Sequence, residues 1–303
     1  MEPPCPGKYK PGASRNPSKG PGVLPAILAG SCQNGKLGLA SCQSGRVTSQ
    51  EIQVFLHDTP VPYTAATESE REYRFLLARP AAESLIDTVA AHMRLVTYEQ
   101  DRPFAYARTT YLDTADRAYY HSAEVGPVRR RLRVREYAAA AGPEETPVFT
   151  GVTFLELKES TGTTRDKKRR PIEADEIDQF MAESQVQPCL TTWYRRVSFA
   201  EDTGRVRVTM DEGILYAMPG GFGRAGEPVP GFEVVEYGPS RVIEVKLVGE
   251  PVDWIARPLA GLEEASDYSK FRMGMRAVDG GRRGSGRRTR PLEIPPLPGD
   301  GGE

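Results

Sequence analysis

The sequence predicts an α+β domain dominated by strands, most of which carry one apolar and one basic face. Three observations support this. Seven short stretches alternate with period two, as half-buried strands do. Two longer stretches show helical spacing of apolar residues. The polar faces of five strands are rich in arginine, with a recurring Glu-x-Lys, whereas an exposed sheet face usually mixes Thr, Ser, Gln and Lys.

In chain order, residues 1–66 read as a disordered leader. Seven prolines and eight glycines fall within the first 45 residues, with no sustained periodicity. "GSCQNGKL" (30–37) matches GxxxxGK, but Leu37 follows the lysine and Pro25 spoils the strand that should precede it, so no phosphate loop is expected. The domain spans 67–278. Its strands are "EYRFLLA" (72–78), "ARTTYLD" (107–113), "RRLRVREY" (130–137), "TFLELKE" (153–159), "WYRRVSF" (193–199), "RVRVTMD" (205–211) and "RVIEVKL" (241–247). "PAAESLIDTVAAHMRL" (80–95) predicts a helix with proline in its first turn and Leu85, Ile86, Val89 and Met93 on one stripe. "IEADEIDQFMAES" (172–184) predicts a second. Residues 279–303, with arginines followed by prolines, read as a disordered Arg/Gly/Pro tail.

In a strand, residues i, i+2 and i+4 share a face. Arg129, Arg131, Arg133, Arg135 and Tyr137 therefore lie opposite Leu132 and Val134. Glu156 and Lys158 are backed by Leu155 and Leu157, and Glu244 and Lys246 by Ile243, Val245 and Leu247. Arg205, Arg207, Thr209 and Asp211 are backed by Val206, Val208 and Met210, while Glu72 and Arg74 oppose Tyr73, Phe75 and Leu77. Closing such a sheet with its charged face inward gives a cationic tunnel of forked guanidinium donors, which suit phosphate chains. Carboxylates among those cations are placed to hold a divalent metal against the phosphate.

Composition limits the alternatives. Lys+Arg (40) and Asp+Glu (41) nearly balance, so anion binding must come from local clustering such as "RRRLRVREY" (129–137). Cys5, Cys32, Cys42 and Cys189 and three separated histidines offer neither a zinc site nor a disulfide framework. No run approaches the ~20 apolar residues of a membrane-spanning helix. Aromatic residues are sparse on the arginine strand, which argues against base stacking and specific nucleic-acid binding there.

The residues also occur in a family order. ExRF (Glu72, Arg74, Phe75), "YLDTADRAYY" (111–120), "RVREY" (133–137), "LELKES" (155–160), "KKRR" (167–170), "WYRR" (193–196), "RVTMD" (207–211), "IEVKL" (243–247), Pro251 with Trp254, and "YSKF" (268–271) follow one another. This order resembles the VTC domain of vacuolar transporter chaperone-type polyphosphate polymerases, in the triphosphate tunnel metalloenzyme or CYTH-like superfamily. The resemblance implies an antiparallel β-barrel tunnel of about eight strands with flanking helices. It also implies transfer of the ATP γ-phosphate to a growing polyphosphate chain, with Mn2+ or Mg2+.

Carried over by position, Arg133, Arg135, Lys158, Arg196, Arg207, Lys246 and Lys270 would act on phosphate. Arg74 and Lys168 would add further phosphate contacts, and Tyr194 would face the nucleotide. Glu244 would bind the metal, with Glu72 and Glu156 as further candidates. Two positions depart from the family pattern. Arg74 replaces a lysine, keeping the charge but changing the geometry, and Asp267 replaces a lysine, removing a phosphate contact. Tyr111 and Asp113 read as structural, with the aspartate capping a turn, and Trp254 reads as a packing residue. The implied partners are ATP and polyphosphate or pyrophosphate, together with a membrane partner protein that would hold the chain at the inner face of a membrane in the cytoplasm. Oligomeric state is left open. Two other readings keep the same tunnel: an inorganic or RNA 5′-triphosphatase, and a non-catalytic polyphosphate or inositol-phosphate binding module.

Overall fold

A computed structural model describes residues 70–98, 102–142, 145–162 and 164–283. The leader, with its GxxxxGK motif, and the tail beyond 283 lie outside the described residues. Ten strands form one antiparallel sheet: β1 (Glu70–Leu77), β2 (Arg94–Leu95), β3 (Phe104–Asp113), β4 (Val128–Ala139), β5 (Val148–Thr161), β6 (Thr164–Pro171), β7 (Gln187–Ala200), β8 (Val206–Ala217), β9 (Val234–Tyr237) and β10 (Arg241–Val248). Eight of them follow the order β1-β10-β8-β7-β3-β4-β5-β6, while β2 pairs with β7 and β9 with β8. Five helices flank the sheet: α1 (Arg79–Ala90), α2 (Ala118–Val125), α3 (Ala174–Glu183), α4 (Asp253–Leu259) and α5 (Lys270–Arg283).

The sheet curls into a half-barrel. This is consistent with the expected tunnel, but the barrel is not closed: no backbone ladder joins edge strands β1 and β6 among the described residues. Arg165 on β6 instead pairs with Glu72 on β1 at 3.0 Å and bridges the seam by side chains. A basic edge such as β6 resists pairing with another strand.

The apolar backs of the strands form the outer cores, as alternation requires. Phe75, Val208, Met210, Ile243 and Val245 pack against Leu85 and Val89 of α1 and Ile255 of α4. Leu132, Val134, Leu155 and Leu157 pack against Ile177 and Phe180 of α3. The latter helix opens with a reciprocal capping box between Glu173 and Glu176. Trp254 joins the first core from its edge and stacks on His92 at 4.7 Å, a packing role.

Several boundaries differ from the sequence reading. The first helix stops at Ala90 rather than 95, because Arg94 and Leu95 pair with Ala200 and Phe199 as β2. Residues 164–170, "TRDKKRR", which show no apolar alternation, lie in strand β6, paired along its whole length with β5. Helix α2 begins where Asp113 accepts the amides of Thr114, Tyr119 and Tyr120, so the expected turn cap also caps a helix. Helix α5 continues to Arg283.

Helix α5 packs on the concave side of the sheet. Phe271 stacks on Tyr111 at 4.8 Å, and Met275 and Val278 join Tyr216 and Tyr268 in an inner core. Gly274 permits this approach, since a Cβ there would sit 2.5 Å from the Leu190 side chain. A bulge lets β8 serve both environments. Gly213 (φ 61°) and Ile214 oppose Tyr194 alone, so the inward positions change from Arg207, Thr209 and Asp211 to Ile214 and Tyr216. Among the described residues, no helix is long and apolar enough to cross a membrane.

Candidate functional site

The concave face encloses a cavity of about 230 Å³. Strand β1 supplies Glu72 and Arg74, and β3 supplies Tyr111. From β4 come Arg131, Arg133, Arg135 and Tyr137, from β5 Lys158, and from β6 Lys167 and Arg169. Tyr194 and Arg196 project from β7, Arg207 and Thr209 from β8, and Val242, Glu244 and Lys246 from β10. Tyr268, Ser269 and Lys270 enter at the start of α5. Eleven basic side chains thus face two carboxylates in the lining.

Buried acids make this concentration of charge tolerable, because a buried cation without a partner costs several kcal/mol. Arg196 donates two hydrogen bonds to Asp211, and Lys270 donates a third at 2.6 Å. Arg133 donates to Glu156 at 2.7 Å, and Lys167 and Arg169 lie 2.8 and 3.6 Å from the other carboxylate oxygen. Burial opposes the charge on Glu156, but Arg133, Arg135 and Lys167 outweigh it and hold the carboxyl well below its ordinary range. Lys246 donates to Glu70 at 2.7 Å and lies 3.5 Å from Glu72.

Three lining cations are different. Arg131, Lys158 and Arg207 form no hydrogen bond or ion pair among the described residues. Burial pushes Lys158 down to about 7; Glu244 opposes this, while Arg131, Arg133 and Arg74 add to it. Burial likewise lowers Arg131 to about 10, helped by Arg133, Arg74 and Arg272. Among the described residues, Arg131 and Lys158 stand in a field that stays positive on balance, so the cavity is complementary to a polyanion.

Glu244 is the accessible acid of the site. Its side chain is 27% exposed, and Arg74 Nε stands 3.4 Å from it. Burial favours its protonation, yet Arg196, Arg74, Lys158 and Lys246 hold it ionised, at about 2. The described residues contain no cluster of three His, Cys, Asp or Glu able to cage a metal. One ionised carboxylate beside a phosphate cradle still fits Mg2+ or Mn2+, since such ions bind through one or two carboxylates plus substrate phosphates.

Arg133, Arg135, Lys158, Arg196, Arg207, Lys246, Lys270, Arg74, Tyr194, Glu244 and Glu72 all line the cavity. Four expectations need correction or narrowing. Lys168 pairs in register with Leu157, so it lies on the outer face; Lys167 and Arg169, opposite Lys158 and Glu156, point inward instead. Glu156 is fully buried behind Arg133 and serves as counter-charge rather than metal ligand. The Glu72 side chain is 1% exposed and engaged by Arg74, Arg165 and Lys246, which leaves Glu244 as the more accessible carboxylate of the lining. Tyr194 is 1% exposed, with Lys270 and Arg196 over its ring, so a nucleotide base has no face of it to stack on.

Arg131 lines the tunnel, whereas Arg129 is exposed outside it. Asp267 stands in solvent with its side chain 94% exposed. Sequence reading missed Lys167, Arg169, Tyr111, Tyr268 and Ser269 in the lining. Alternation at 165, 167 and 169 would have found the first two, had the segment been read as a strand.

The VTC domain family matches residues 69–181 and 172–279. Among solved structures, the PH1819 protein from Pyrococcus horikoshii OT3 is similar at 15% identity and TM-score 0.41, covering 67% of this chain and 97% of that one. The PH1012 protein from the same organism follows at 11% identity and TM-score 0.39, covering 66% and 94%. No curated protein matches.

Proposed function

The chain belongs to the VTC-domain family, and from that premise we propose that it is a metal-dependent phosphotransferase that moves the γ-phosphate of ATP onto the end of a polyphosphate chain. The observation that supports this most directly is the set of unpaired cations Arg131, Lys158 and Arg207 in one cavity with the ionised, accessible Glu244.

The chemical obstacle is repulsion between two polyanions. Phosphoryl transfer needs little covalent help from a protein; positioning and charge neutralisation dominate. In an in-line transfer, a terminal oxygen of the acceptor bonds to the γ-phosphorus. The bond from that phosphorus to the β–γ bridging oxygen breaks, and ADP leaves with the electron pair. The acceptor oxygen is already anionic, so no Ser, Cys or His nucleophile is needed.

Arg133 and Arg196, fixed by Glu156 and Asp211, present preorganised forks to the transferred group. Arg135, braced by a hydrogen bond to Thr109, extends this row. Lys158, Arg207 and Lys246 neutralise the acceptor and donor phosphates beside them. Mn2+ or Mg2+, held by Glu244 and phosphate oxygens, would neutralise charge building on the bridging oxygen.

Purified protein incubated with ATP and Mn2+, with the products resolved on a gel stained for polyphosphate, tests the reading. A ladder of long chains supports polymerisation. Free phosphate alone would make water the acceptor and the protein a triphosphatase. Tight polyphosphate binding without turnover of ATP would make it a binding module.

A further inference from the structure

The tunnel is not uniformly cationic. A second cavity of about 290 Å³ shares Tyr137 and Arg169 with the first and is otherwise mostly apolar and aromatic. It continues along the same inward face. On β4 the inward residues run Arg131, Arg133, Arg135, Tyr137, Ala139; on β5 they run Lys158, Glu156, Phe154, Val152. The two rows change from charged to apolar one inward position apart: on β5 Phe154 is already apolar where its register partner on β4 is still Arg135, and Tyr137 follows. A shift in the β4–β5 register just beyond this point opens the wall, and Tyr98 closes the far side.

At the junction, the guanidinium carbon of Arg169 sits over one face of the Phe154 ring, 3.4 Å from its centroid, and Tyr137 meets the same ring edge-on at 6.3 Å; unlike the buried Tyr194, both Phe154 and Arg169 stay partly exposed. Two hydroxyls around this shelf are already engaged. Tyr98 shares a hydrogen bond with Ser198, and Thr150 donates to the Tyr137 carbonyl. The surface therefore offers stacking with little hydrogen-bond discrimination. Arg102 and Arg169 are the only charged groups in this lining, against eleven cations in the first cavity, so a flat ring attached to phosphates suits the two environments together.

We propose that this apolar end of the tunnel seats the base of a nucleoside triphosphate, against Phe154, Arg169 and Tyr98, while its phosphates extend into the cationic cavity. The proposal rests on the phosphotransferase reading and assigns the base a place other than Tyr194. The spacing agrees. Phe154 and Lys158 are four residues apart, roughly 13 Å along the strand, and Lys158 lies in the field of Glu244. A base on Phe154 thus directs its terminal phosphates toward the metal-binding carboxylate. The polymer's place is then the opposite, cationic end, past Arg131. Stacking tolerates any base, because each has a π-face, so ATP and GTP bind within a few-fold of each other.

The test compares calorimetric binding of ATP and inorganic tripolyphosphate to the full chain and two variants. Phe154→Ala removes the stacking shelf. Val152→Trp fills the pocket from its rim, where Val152 is 40% exposed. Wild type is expected to prefer ATP. Both variants are expected to lose roughly tenfold in ATP affinity, the lower part of the range for base stacking, and to keep tripolyphosphate affinity within twofold. A wild type that prefers tripolyphosphate, or an affinity ratio unmoved in both variants, overturns the base seat alone. A wild type that binds neither anion overturns the reading of the tunnel, and the seat falls with it.

Discussion

Arg196 and Asp211 lock into a two-pronged fork across neighbouring strands, with Nε donating to Oδ1 at 2.6 Å and Nη2 to Oδ2 at 2.7 Å. Lys270, from the first turn of α5, donates to the same carboxylate, so one buried acid ties β7, β8 and α5 together at the cavity wall. Asp211→Asn keeps the shape and removes the charge that two cations share. Breaking a buried pair in this way costs about 3–5 kcal/mol. The free protein is expected to melt well below wild type, and tripolyphosphate is expected to raise its melting temperature more than it raises that of wild type. Thermal melts with and without the anion check both halves.

Glu244 is held ionised by Arg196, Arg74, Lys158 and Lys246. Glu244→Gln removes the negative charge but leaves the basic lining intact. ATP consumption in Mn2+ is expected to fall about a hundredfold or more, as several kcal/mol of metal-assisted stabilisation would be lost. Tripolyphosphate binding without metal is expected to hold or strengthen. Unchanged metal-dependent turnover would remove Glu244 from the metal site.

The face of β6 makes a local test. Lys167 lines the cavity 2.8 Å from Glu156, whereas Lys168, one residue on, faces outward opposite Leu157. Lys167→Ala is expected to weaken polyphosphate binding at least several-fold, and Lys168→Ala to leave it within twofold. Titration of each variant with a fluorescent polyphosphate separates them.

These neighbours also show what the sequence makes legible. Period-two alternation identified the inward arginines of β4, the Glu-x-Lys rows of β5 and β10, and the apolar backs that became cores, because a one-residue step reverses the face of every side chain. It is silent at "TRDKKRR" (164–170), where a strand with no apolar residue shows no contrast to read, so nothing set Lys167 and Arg169 against the Lys168 that the family order implied. Long-range pairing was also hidden. Glu156 looked like a metal candidate until β4 and β6 brought Arg133 and Lys167 onto it. The aromatic end of the tunnel depends on a register shift between β4 and β5, which leaves no periodic trace in either strand.

The pH dependence of anion binding follows from Lys158 and Lys167. Burial lowers them to about 7 and about 8 from an ordinary 10.5. Around Lys158 stand Arg131, Arg133 and Arg74 on one side of the balance and Glu244 on the other; around Lys167, Glu156 opposes Arg133 and Arg135. Both lysines bind fewer protons folded than unfolded between about pH 7 and 10, so their contribution to the stability of the free protein grows as pH rises through that window. Anion binding has the opposite dependence. A phosphate chain favours the charged lysines, raises their pKa values and draws in protons when it binds above about pH 7. Tripolyphosphate affinity is therefore expected to fall with rising pH, by up to about tenfold per unit for each proton taken up. Calorimetry at pH 8 in buffers of different ionisation enthalpy should report that uptake directly. In Lys158→Arg, whose guanidinium stays charged throughout, the uptake is expected to shrink and the slope to flatten. A wild-type affinity independent of pH from 6.5 to 9 would mean that these lysines do not contact the bound chain.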